Sequence, residues 1–146
     1  MTKRHQLLLL LHGAIVLFIG LVFGLPFGAA LSRDWGNKSV QVWRVAHSGT
    51  VAVGVMLLAI GGTLGRLVLR DRVVSVLVWS LVASAYSFTL ALLLHAVVGV
   101  RGYRPTPPIL NVVAFASNLV GVLGAVLGVA LVIYGAYVAL RAPTSE

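Results

Sequence analysis

The chain has 146 residues, 60% of them hydrophobic and 10% charged, with a mean hydropathy of +1.04. That composition excludes a water-soluble domain, because so few polar side chains cannot cover the surface of a protein this size. Eleven Lys and Arg against three Asp and Glu give a formal charge of +8, and the absence of cysteine excludes disulfide frameworks, thiolate metal sites, iron–sulfur clusters and covalent c-type haem attachment.

Roughly 20 apolar residues are needed to cross a hydrocarbon core of about 30 Å. Four runs meet that length, over 7–31, 42–64, 73–100 and 109–140, and predict an all-α, four-transmembrane-helix bundle forming one integral membrane domain over 1–146. The breaks between them, at 32–38, 66–72 and 101–108, combine charge with turn formers. The first run follows Lys3 and Arg4 as a signal peptide's apolar region would, but it is too long and lacks a clear cleavage site, so it is read as a retained helix. The basic residues fall in the gaps between runs, which suits lipid headgroups and not a nucleic-acid face. Lys3, Arg4, Arg66, Arg70, Arg72 and Arg141 share one side, and Arg33, Lys38, Arg44, Arg101 and Arg104 the other. This slight bias points to cytoplasmic termini in a bacterial-type cytoplasmic membrane.

The first run carries His12 and a glycine at every fourth position, Gly20, Gly24 and Gly28. The second has Gly54, Gly61 and Gly65 on one stripe, and the fourth has Gly121, Ala125 and Gly128. Small residues at this spacing let helix backbones approach closely. A groove cleared of side chains for a flat cofactor is the alternative reading.

The second run opens with Trp43-Arg44-Val45-Ala46-His47-Ser48-Gly49. An ionisable group at that depth is a site hypothesis by default, and a neutral imidazole there suits the axial position of a haem iron. Arg44 is placed either to hold a propionate or to snorkel to headgroups, and His47 is either a ligand or an interhelical hydrogen-bonder. The third run carries Ser80, Ser84, Ser87 and His95 on one stripe, read as helix packing, with Tyr86 about 180° away from His95. By depth, His47 and His95 could approach one another, whereas His12 lies near the opposite surface. Asn118 is a polar position well inside the fourth run, and Tyr134 and Tyr137 at its end read as an interfacial belt, as do Trp35, Trp43 and Tyr103 on the other surface.

The segment Trp43–Gly49, with the apolar glycine-containing stretch after it, resembles the second helix of styrene oxide isomerases. His12-Gly13 resembles the opening of that family's first helix, and the pattern of 7–13 also resembles the related hydroxylaminobenzene mutases. A weaker match lies in 120–124 and Tyr134-Gly135. The resemblance implies a homotrimer of four-helix protomers carrying haem b, with His47 as the axial ligand to the iron. It implies a Meinwald rearrangement, in which ferric haem acts as a Lewis acid and a small apolar aryl epoxide such as styrene oxide becomes an aldehyde. Tyr86 is the candidate for the family's substrate-positioning tyrosine. Two positions depart from the pattern: the family's asparagine beyond the ligand falls on Val53, and its helix-four aromatic falls on Asn118. A pocket of different polarity is expected, with Tyr86 and Asn118 as candidate catalytic residues and His47 and Arg44 as cofactor-binding ones. Two other readings stay open: a mutase converting an N-hydroxylaminoarene to an aminophenol, and a non-catalytic haem-binding, electron-transfer or structural subunit. A haem held by both His47 and His95 would mark the electron carrier, since no position would remain for substrate.

Overall fold

In a bilayer every backbone N–H and C=O must be satisfied within the chain, which leaves helices or closed barrels as spanning structures. Runs rich in Leu, Ala, Val and Gly take the helical solution. A computed structural model describes residues 2–141, with α1 at Thr2–Ser32, α2 at Asn37–Thr63, α3 at Asp71–Val98 and α4 at Ile109–Arg141. No strand occurs among the described residues. All four helices are long and apolar enough to cross a membrane, and the protein is an integral membrane protein. Even α2, with 27 residues, is about 40 Å long at 1.5 Å per residue, so the helices outrun the hydrocarbon core.

Helix ends therefore extend past the apolar runs. α1 starts five residues before the run at position 7 and takes Lys3, Arg4, His5 and Gln6 into its first turns. α2 starts at Asn37, not near Val42, which sets His47 almost three turns inside the helix. α3 ends at Val98, where Gly99 adopts a left-handed conformation (φ 78°) and donates its N–H to the His95 carbonyl. A 3₁₀ turn, Leu64–Arg66, follows α2, and the linker after it is pinned to α4 by a hydrogen bond from Val68 N–H to the Gly135 carbonyl.

The helices run alternately up and down. α1 and α2 form the closest pair, joined through glycines: an added Cβ on Gly54 would lie 2.6 Å from the Leu17 nitrogen, and one on Gly20 would lie 2.7 Å from the Val51 nitrogen. α3 packs on both, and the core is built from Leu9, Val16, Leu57, Leu77, Val78 and Leu81 of these three helices. α4 packs almost solely on α3, where Gly121 receives Phe88, and Gly124 and Gly128 receive Ser80, Leu81 and Ser84. The glycine stripes thus serve packing at these positions. Of the three evenly spaced glycines of α1, Gly28 alone has open space beside it.

The serine stripe of α3 behaves likewise. Ser80 bonds back to the Leu77 carbonyl, and Ser84 donates across the interface to the Gly121 carbonyl at 2.6 Å. Ser84→Ala should lower stability by about 0.6 kcal/mol, the average for interhelical bonds of this kind in membranes. Unfolding in mixed micelles checks this value, and no loss at all would mean that the bond contributes nothing. The remaining surface of α4 exposes Leu119, Val120, Leu123, Val126, Leu127 and Ile133. A helix apolar on every side belongs in lipid or against another membrane helix.

Candidate functional site

The candidate residues are divided among three places in the bundle. The first is His47. Its Nδ1 lies 2.8 Å from the Gly20 carbonyl oxygen of α1. A carbonyl can only accept, so Nδ1 carries a proton and donates it, and in the neutral ring Nε2 then holds the lone pair. Metal-ligating histidines are commonly oriented in this way, by a bond from the second ring nitrogen to a backbone carbonyl or carboxylate. The imidazole lies nearly parallel to Phe27, with centroids 6.0 Å apart and planes 18° from parallel. Gly24 makes this seat possible, because a Cβ there would come within 3.2 Å of Nδ1 and Cε1. The ring is half-buried, and its helix neighbours Arg44 and Ser48 are exposed, so the chain does not enclose it. Arg44 donates through Nη2 to Gln41 Oε1 at 2.6 Å, one turn nearer the water. Thr50, one turn deeper, is fully buried at the α1–α2 crossing, and its hydroxyl has no partner among the described residues.

The second place is Tyr86, whose hydroxyl is 2.9 Å from His12 Nδ1, the two rings meeting edge to face at 5.6 Å. Trp79 closes the group, 6.2 Å from His12. Eight residues, about 12 Å of helix, separate His12 from the carbonyl that orients His47. Within one chain Tyr86 therefore contacts His12 and not His47.

The third place is the end of α3 and the loop after it. Asn118 donates from Nδ2 to the carbonyls of Arg101 and Gly102, at 3.4 and 3.3 Å, helping Asn111 fold this loop onto α4. Asn118 also lines a pocket with His95, Gln41, Val42 and Val45. His95 thus sits beside one face of α2 while His47 lies against α1 on another. Similar depth does not bring the two rings together, and one chain does not offer a haem both of them. No cluster of three or more His, Cys, Asp or Glu that could hold a metal ion occurs among the described residues.

Several partners were not legible in the sequence. The Gly20 carbonyl, the Phe27 face and the His12–Tyr86 bond depend on how α1 meets α2 and α3. His5, in the polar start of α1, bonds Ser75 at 3.0 Å. The available signal was the four-residue spacing of Gly20 and Gly24, which marks where another helix comes close.

Four helices long enough to span a membrane, with a half-buried imidazole of α2 fixed against α1, define an integral membrane protein with a candidate cofactor-ligating site. The family model described as styrene oxide isomerase matches residues 5–137, and the chain belongs to that family. The family name makes it an isomerase in broad class. No curated protein matches the chain.

Proposed function

We propose that the protein is a haem b-dependent isomerase that converts a small apolar aryl epoxide to an aldehyde within the membrane. The observation that carries this reading is the bond from His47 Nδ1 to the Gly20 carbonyl, which presents Nε2 as a ligand inside the family-matched segment. The residues fit the group: Gly24 and Phe27 fix the imidazole plane, Gly28 leaves open space one turn along, and Arg44 is exposed to meet a propionate. When bound, ferric haem supplies a Lewis-acidic iron for the epoxide oxygen.

The reaction breaks the benzylic C–O bond, moves a hydride between the two epoxide carbons and forms C=O, with no atom added or lost. Water reaching the electron-poor benzylic carbon would give a diol instead. The apolar faces of the helices serve to keep it out. Tyr86 and Asn118 are proposed to position the substrate. Neither touches His47 within one chain, so the reading includes a homotrimer in which residues of one protomer meet the cofactor of another. The open edge of His47 and the unpaired apolar surface of α4 support such an assembly.

The test uses haem-loaded protein in detergent with styrene oxide deuterated at both positions of its terminal carbon. Phenylacetaldehyde that keeps both deuteriums is expected, and diol alone, or no turnover by protein with an intact Soret band, would overturn the proposal.

A further inference from the structure

The pocket between α2, α3 and the α3–α4 loop has a volume of about 310 Å³, and His47 is not among its lining residues. Its walls are Val42 and Val45 of α2 and Ala91 and Leu92 of α3. His95 and Arg101 stand at its polar end, with Tyr103 and Asn118 beside them.

His95 is distinct among the four histidines. His5 bonds Ser75, His12 bonds Tyr86 and His47 bonds the Gly20 carbonyl, whereas the His95 ring makes no hydrogen bond or ion pair with the described residues. A half-buried imidazole in the last turn of α3 with no protein partner keeps hydrogen-bonding capacity that a ligand can take up. The charge beside it is also unanswered. The charges of Arg101 and Lys38 both reach His95, Arg101 forms no ion pair among the described residues, and no acidic residue lines the pocket. Asp71, at the start of α3, is a helix length away, and Asp34, in the α1–α2 loop on the same side as His95, forms no ion pair among the described residues and does not line the pocket.

Apolar walls with a cationic, donor-rich end match an amphiphile with an anionic head. The volume accommodates one aromatic ring or a short alkyl chain, and is too small for a porphyrin or a two-chain phospholipid. The geometry points to a binding site for a short monocarboxylate, an arylalkanoate or a medium-chain fatty acid, with its carboxylate on Arg101 and His95 and its apolar body on Val42, Val45, Ala91 and Leu92. The planar guanidinium matches a carboxylate through paired N–H donors, and His95 offers one N–H in either tautomer. His47 lies outside this pocket, which shares Asn118 with the substrate-positioning pair proposed above.

The experiment is calorimetric titration of the full-length protein in phosphatidylcholine nanodiscs with 3-phenylpropionate and with octanoate, each against its neutral amide. At least one acid should bind while its amide does not, and Arg101→Gln should weaken the binding about tenfold or more, as loss of a charged hydrogen bond does. Val45→Trp, which fills the wall from an exposed position, should also abolish binding, and His47→Ala should leave it unchanged. Equal binding of acid and amide, no binding of either acid, or affinity unaltered in both Arg101→Gln and Val45→Trp would overturn the assignment. Displacement of the probe by phosphatidylglycerol would assign the pocket to lipid headgroups and overturn it as well.

Discussion

His47→Ala is expected to yield a folded protein that purifies without haem and without isomerase activity. The imidazole contributes one side-chain hydrogen bond to the fold, to Gly20, so its removal should leave the bundle intact. Loss of a partner that merely orients a metal ligand typically costs 10–100-fold in affinity, and loss of the ligand itself should exceed about 100-fold. The oxidised and reduced visible spectra of the purified variant provide the measurement. An unchanged Soret band would remove His47 from the site. Gly24→Ala is the finer version of the same test. Its Cβ would press on Nδ1 and Cε1 at 3.2 Å, turning the ring away from Gly20. Haem affinity should fall roughly tenfold with a shifted Soret maximum, since the orienting bond is weakened and the ligand kept.

A large effect on the α1–α2 packing is expected at Gly54. A side chain there meets the Leu17 nitrogen at 2.6 Å and its Cα at 2.7 Å, both backbone atoms that move only if α1 and α2 separate. Gly54→Val should cost about 3 kcal/mol or more, the upper range for overpacking a tight contact. Because the α1–α2 interface also holds Gly20 and Gly24 against His47, haem retention should fall with stability. Gly28→Ala is the control. Nothing lies within 4 Å of the added methyl, and helix propensity favours alanine by up to about 1 kcal/mol, so this variant should be as stable as the parent or more so. Thermal unfolding in detergent compares the two, and equal losses would contradict the packing described here.

These two tests address different parts of the argument. The first concerns a lone pair fixed by one hydrogen bond. The second concerns the interface that places the acceptor of that bond. A variant that loses haem but keeps its unfolding midpoint separates chemistry from packing. Gly54→Val joins them.

The sequence by itself determined that four segments are long and apolar enough to cross a membrane, because hydropathy over about 20 residues depends only on local composition and the bilayer permits few alternatives. It also determined the opposed facing of Tyr86 and His95, nine residues apart on a regular helix, and singled out His47 as an ionisable group in apolar surroundings. Helix ends were less legible, since polar residues such as Lys3 and Asn37 continue a helix into the headgroup region without any apolar signal. Only the tertiary structure decided which nitrogen of His47 is free, that Tyr86 pairs with His12, and that Asn118 and His95 share a pocket away from His47. Those facts depend on the relative rotation and depth of neighbouring helices. The backbone contacts at Gly20 and Gly54 set both, and the glycine spacing within one helix marks a close approach without fixing the partner or its register.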